Sequence, residues 1–212
     1  MSATRYEMLT EADARRLEPG ATVVLAKGGH ITPLALDTLR ERRVTVLRDG
    51  AVTADESALA PTTPVTRCAV GSDHTGIALR RAVRDHLRGQ GLAVREVGPD
   101  TPDAVDYPDT AGAVAQLVAH GEVDGGVVID GAGLGSAIAA NKVRGVRAAM
   151  CTDRTLARYA REHNGANVLA LGATLLTVEA ALAVVDVWRT TPMTEARYIR
   201  RLGKIQALED RR

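Results

Sequence analysis

The chain has no phenylalanine, one tryptophan and four tyrosines in 212 residues. That scarcity excludes a core built on aromatic stacking. The interior has to be assembled from Ala, Val, Leu and Ile, and an apolar content of 45% is enough for one. Cysteine is nearly absent as well. Cys68 and Cys151 fall in or at the end of apolar runs, where they read as small buried hydrophobes rather than a disulfide or metal pair. No apolar run nears the ~20 residues of a membrane span. The first twenty residues hold no signal-peptide apolar core, so a cytoplasmic location is expected. Charge of one sign is missing too. A formal net charge of +1 gives no reason to expect nucleic acid or an anionic membrane as a partner.

What is present is alternation. In residues 1–50, Thr10 reads as the cap of a short helix to Leu17, with Glu11 and Asp13 at its positive end. A strand is predicted over Thr22–Ala26, a turn over Lys27–His30, and a helix from Pro33 to Arg42 capped by Thr32. A second strand, Val44–Leu47, is closed by Asp49 and Gly50. This is a small βαβ appendage. Residues 51–65, rich in Ala, Thr and Pro, read as a linker. From residue 66 the pattern becomes regular. Strands at Cys68–Val70, Ala93–Val97, Val127–Ile129, Val146–Cys151 and Asn167–Leu171 alternate with helices at 77–90, 110–120, 136–143, 154–162 and 178–189. Such alternation predicts an α/β domain whose parallel sheet is covered on both faces. A charged helix over 196–212 ends the chain.

One stretch organises this domain: VVIDGAGLGSAIAANK, Val127 to Lys142. An apolar run ends on Asp130, and Gly131, Gly133 and Gly135 follow before a helical pattern. A buried strand, a glycine turn and a helix start make a cradle of backbone N–H groups. A carboxylate at the carboxyl end of such a strand is costly unless donors face it, and the loop's own amides are one source of them. Asp73 and His74 end another strand, so they converge with Asp130 on one sheet edge. Asp73 also reads as a helix cap, Tyr107 as a packing residue before Pro108, and His163 as a plain helix C-cap beside Asn164. The run Gly131–Gly135, with Asp153 some way on, loosely echoes a dinucleotide fingerprint. The third glycine of that pattern would fall at Ser136, and the following helix is short.

GSDHTG (71–76), VDYPD (105–109), GEVDGGVVIDGAGLGSAIAANKVRGVRAA (121–149) and REHNGANVLALG (161–172) together resemble the type B ribose-5-phosphate isomerases, a family that includes the galactose-6-phosphate isomerase subunits. The resemblance runs from about residue 66 to the end. It implies a Rossmann-like three-layer fold with a five-stranded sheet, and a homodimer or homotetramer with sites between subunits. It also implies no metal and no cofactor. The implied reaction interconverts an aldose phosphate and a ketose phosphate through a cis-enediolate.

By position, His163 resembles the ring-opening residue, with Asn164 beside it. Asp73, His74 and Tyr107 match pocket positions, and Arg197 and Arg201 match phosphate-binding arginines sharing one helix face. The loop Gly131, Gly133, Gly135 and Ser136 is expected to offer amides to the enediolate oxygen.

Three positions depart from the family pattern. Asp130 stands where many members carry a catalytic cysteine, Ala132 where Thr is usual, and Thr174 where a further Arg is common. Asp130 is therefore the expected proton-transfer base, with a proton affinity raised by desolvation. An acid there also resembles one galactose-6-phosphate isomerase subunit. This leaves open a galactose- or tetrose-phosphate substrate, or a non-catalytic sugar-phosphate-binding partner subunit. In the appendage, ITPLALDTLRERRVTV resembles short segments attached to enzymes of bacterial microcompartments.

Overall fold

A computed structural model describes residues 4–48 and 57–211. The chain divides into two compact units, Met1–Thr53 and Ala54–Arg212. The division falls within the stretch expected to be a linker. Its residues 51–56, and the expected strand closure at Asp49 and Gly50, lie outside the described residues.

The first unit is βαβαβ: β1 (Arg5–Leu9), α1 (Glu11–Arg16), β2 (Thr22–Ile31), α2 (Pro33–Glu41) and β3 (Thr45–Arg48), in a parallel sheet of order β1-β2-β3. Thr10 and Asp13 close a reciprocal capping box on α1. Thr32 caps α2, with Pro33 in its first turn. Two expectations are corrected. β1 was not foreseen, because RYEML carries charges on a five-residue segment with little periodicity. The turn expected at Lys27–His30 is a bulge within β2. Tyr6 pairs with Leu25 but Met8 pairs with His30, so the extra residues are looped out without ending the strand.

The second unit carries β4 (Arg67–Ser72), a 3₁₀ turn (His74–Gly76), α3 (Ile77–Gly89), β5 (Ala93–Val97), α4 (Tyr107–Ala119), β6 (Gly125–Asp130), α5 (Leu134–Ala140), β7 (Ala148–Met150), α6 (Arg154–Glu162), β8 (Val168–Gly172), α7 (Val178–Thr190) and α8 (Ala196–Glu209). Its five strands are all parallel, in the order β5-β4-β6-β8-β7. Alternate strand residues enter separate cores. Cys68, Val70, Val127 and Ile129 pack with α3, α6 and α7. Ala69, Val128, Val168 and Ala170 pack with α4 and α5. This is the three-layer Rossmann-like arrangement.

With no phenylalanine available, Trp188 anchors the first core. It is fully buried, its indole N–H donates to the Ala166 carbonyl at 3.0 Å, and the Arg161 guanidinium lies 5.1 Å from its ring centroid. Arg161 also donates to the Thr62 carbonyl, and Arg147 to the Leu59 carbonyl. The later part of the expected linker is thus tied to this unit by its own backbone oxygens. Among the described residues no helix is long and apolar enough to cross a membrane.

Cys68 and Cys151 are free and buried. Burial pushes both thiols up to about 12. Native protein is expected to leave both unmodified by iodoacetamide at pH 8, and denatured protein to take up two labels, counted by mass spectrometry. Rapid labelling of the folded chain would contradict the burial.

Candidate active site

The chain leaves β4 toward β5 on one side, then returns to place β6 on the other. The connections therefore diverge between β4 and β6. In an open parallel sheet, a crevice opens at the carboxyl edge at that point. Asp73 and Asp130 both stand there.

Asp130 closes a strand whose residues are all buried, and is itself only 5% exposed. Oδ1 accepts the amides of Ala132, at 2.8 Å, and Gly133; Oδ2 accepts the Ser136 amide at 2.8 Å. The turn that permits this needs Gly133 at φ +78°, a left-handed conformation costly to other residues. Burial alone would raise the proton affinity of this carboxyl. The amides of Ser136, Gly133 and Ala132 outweigh burial and hold it below the usual range. Two expectations are corrected here. The raised proton affinity expected of a desolvated base is not found, because the donors arrive with the loop itself. Of the loop amides expected to face an enediolate oxygen, those of Gly133 and Ser136 face the chain's own carboxylate instead, joined by that of Ala132. Of the roughly four lone-pair sites of a carboxylate, three are taken and one remains on Oδ2.

The neighbouring walls are well defined. Asp73 Oδ1 accepts the Thr75 amide (2.8 Å), the Thr75 hydroxyl (2.6 Å) and the Gly76 amide (3.2 Å). That is the helix-cap geometry, and it leaves Oδ2 without a hydrogen-bond partner among the described residues. His74 Nδ1 lies 3.3 Å from the Val105 carbonyl oxygen, which holds the loop before α4. Tyr107 packs on the glycine loop so closely that a Cβ at residue 135 would sit 2.5 Å from its ring, so any side chain there would displace the tyrosine. Thr174, flagged in the sequence as a missing arginine, has a different task. Its hydroxyl donates to the Gly131 carbonyl at 2.6 Å, and its amide donates to the same oxygen at 3.0 Å. It pins the glycine loop to the end of β8.

The remaining candidates form a second group. His163 caps the carboxyl end of α6, with its imidazole between Tyr159 (centroids 4.6 Å, planes at 15°) and Tyr198 (4.4 Å, 35°). Asn164 Nδ2 donates to the Tyr159 carbonyl at 3.1 Å. The Arg197 and Arg201 guanidiniums lie 4.7 and 5.5 Å from the Tyr198 centroid, and Arg197 Nη2 donates to its hydroxyl at 2.9 Å. A cavity of about 260 Å³ opens beside Asn164, but Glu209 lines it, a poor neighbour for phosphate. Arg197 and Arg201 are exposed and suit an anion better. Tyr159 and Tyr198 were missed in the sequence. Their 39-residue separation gives no local signal, and only the scarcity of tyrosine pointed to them.

The two groups do not meet within one chain. Asp130 pairs with Gly172 at the carboxyl end of β8, while His163 precedes Val168 at its amino end. Four strand steps put them roughly 13 Å or more apart along the sheet, on opposite edges.

A family model for ribose/galactose isomerases matches residues 68–205. The chain is 40% identical over 146 residues to ribose-5-phosphate isomerase B of Escherichia coli, a match covering 69% of this chain and 98% of that one. It is 38% identical over 121 residues to D-erythrulose-4-phosphate isomerase of Pectobacterium atrosepticum, covering 57% and 80%. Among solved structures, Clostridium thermocellum ribose-5-phosphate isomerase B superimposes with a TM-score of 0.67 at 45% identity, covering 68% of this chain and 98% of that one. The Mycoplasma genitalium ribose-5-phosphate isomerase B structure with bound ribulose-5-phosphate gives 0.66 at 37% identity, covering 68% and 96%.

Proposed function

The chain belongs to the ribose/galactose isomerase family, and from that premise we propose that it interconverts an aldose phosphate and its ketose isomer, with ribose 5-phosphate and ribulose 5-phosphate as the leading pair. One observation carries the reading. A carboxylate crevice and an arginine–imidazole cluster occupy opposite edges of a single sheet, and each lacks what the other has. A second copy of the chain would bring one edge against the other and complete two equivalent sites.

In this reading the exposed Arg197 and Arg201 pair with the phosphate, whose charge suits two guanidiniums on one helix face. His163 passes a proton to the ring oxygen as the furanose opens. Asp130 uses its one unoccupied lone pair on Oδ2 to take the proton from C2. The C2–H electrons form the C1=C2 bond of a cis-enediol(ate), and the C1=O π electrons move onto O1, which takes up the proton that the C2 hydroxyl gives up. The proton held by Asp130 then returns to C1 as the C2–O bond becomes the ketone. Asp73 Oδ2 and His74 line the crevice where sugar hydroxyls would lie, and Tyr107 closes its side.

A second reading has its own support. The lowered proton affinity of Asp130 and its three amide donors are what a purely structural carboxylate would have. A sugar-phosphate-binding subunit without turnover is the form that reading takes. One assay separates the two: turnover of ribose 5-phosphate, erythrose 4-phosphate and galactose 6-phosphate by the full chain, with calorimetric binding in parallel. The isomerase reading expects kcat on the order of 1–10³ s⁻¹ on at least one of them. Binding without turnover across all three would leave only the second reading.

A further inference from the structure

Tyrosine is scarce in this chain, with four residues in all. Two of the four sit on the faces of His163. Tyr159 stacks at 4.6 Å and 15°, and Tyr198 lies at 4.4 Å and 35°. Tyr198 is buried, whereas Tyr159 is 41% exposed. An exposed aromatic ring laid flat on a half-buried imidazole contributes little to a core. It does fix the imidazole. With both faces covered, the ring cannot swing about its Cβ–Cγ bond without displacing a tyrosine. Protons then enter or leave only through the ring edge, where the N–H bond and the nitrogen lone pair lie. The nearest carboxylate, Glu162 Oε1, is 3.8 Å from Nε2, too far for a hydrogen bond. The edge is therefore held in place with no acceptor of its own bonded to it among the described residues. Tyr198 also carries the arginines, through its hydroxyl to Arg197 and through its ring to Arg197 and Arg201.

We propose that Tyr159 and Tyr198 are positioning residues. They clamp the His163 imidazole so that one nitrogen meets the sugar ring oxygen, and Tyr198 fixes that nitrogen relative to the phosphate-holding arginines. This rests on the isomerase reading and extends it to two residues of this chain. The step involved is ring opening: the imidazole N–H edge gives a proton to the ring oxygen as its bond to C1 breaks, and the C1 hydroxyl passes its proton to water as the aldehyde forms.

The experiment compares Tyr159→Leu, Tyr159→Phe and Tyr198→Phe in the full chain. The exposed Tyr159 makes its substitution compatible with folding. Ribose 5-phosphate is the cyclic substrate. Erythrose 4-phosphate, whose 4-hydroxyl is esterified, cannot close a five-membered ring and needs no opening. Tyr159→Leu is expected to lower kcat on ribose 5-phosphate about tenfold with KM within about twofold, and to leave the tetrose rate unchanged. Tyr159→Phe keeps the ring and restores the rate. Tyr198→Phe keeps the clamp and the ring contact but removes the hydroxyl that accepts from Arg197, so KM rises more than kcat falls.

A second readout does not depend on turnover. The His163 Cε1 proton lies between two aromatic rings and is shifted by their ring currents, and Tyr159→Leu moves it toward the value of a free imidazole. An unmoved resonance overturns the clamp. A moved resonance with an unchanged pentose rate overturns the positioning role while the isomerase reading stands. Wild-type protein inert on both sugars removes the isomerase reading, and this role with it.

Discussion

Replacing Asp130 by asparagine is expected to lower turnover by about 10²–10⁴-fold, the range that a positioned proton-transfer group supplies. The loss alone does not identify the role, because the same carboxylate caps its own loop. Asparagine keeps the shape and one acceptor oxygen. Its NH₂ group, however, faces backbone donors, and each buried donor left unpaired costs about 1–3 kcal/mol. A fall in Tm of a few degrees is therefore expected as well. Cysteine is the informative second substitution, since the family resemblance puts cysteine at this position in many members. A thiol caps three amides worse than asparagine does, yet its thiolate can take a proton from carbon.

The two roles thus predict opposite orders. If Asp130 transfers the proton, Asp130→Cys is more active than Asp130→Asn despite a lower Tm. If Asp130 only holds the loop, the asparagine variant keeps more activity. The pH dependence adds a sign. The folded carboxyl titrates below its ordinary value, so its stabilisation is fully present above the unfolded value and is lost as pH falls through the lowered folded one. Wild-type turnover should be flat from pH 5 to 8 as far as this group is concerned. The cysteine variant should gain rate as pH rises toward the thiol range near 8.5. A cysteine variant no more active than asparagine, with a flat profile, would remove Asp130 from the chemistry.

Asp130 also shows where sequence reasoning stops. The residue, its strand and the glycines after it were legible, because a Val/Ile run ending in an acid and a glycine turn leaves few alternatives. The direction of its proton affinity was not legible. That depends on where the Ala132, Gly133 and Ser136 amides point, and a single φ of +78° at Gly133 decides it. The regular alternation from Cys68 onward fixed the strands and both covered faces, because period-two burial and helical periodicity are local signals. In the first unit, β1 is short and charged. The glycines of Lys27–His30 read as a turn when they form a bulge, since either conformation uses the same residue types. Thr174 was marked as the loss of an arginine, and only coordinates assign its hydroxyl to Gly131. The tyrosines around His163 left no trace in the sequence beyond their rarity.

The opposite placement of the two half-sites leads to the largest reversal expected of this protein. His163→Ala and Asp130→Asn should each be nearly inactive on ribose 5-phosphate. Mixed, unfolded together and refolded at equal concentration, they should recover about a quarter of the wild-type rate if the protein is a dimer with sites between subunits. Half of the refolded dimers carry one chain of each kind. In each of these, one site collects both substitutions, and the other collects Asp130 from one chain and His163 from its partner, both intact. The result depends on the roughly 13 Å or more that separates the sheet edges within a chain. Were the two residues to serve one site inside a single subunit, every site in the mixture would carry one defect and nothing would return. Erythrose 4-phosphate supplies the control. It needs no ring opening, so His163→Ala alone should keep most of its activity on the tetrose, while Asp130→Asn loses it on both sugars. A mixture that stays inactive on the pentose, with both variants folded and dimeric by light scattering, would show that the two edges do not build a common site.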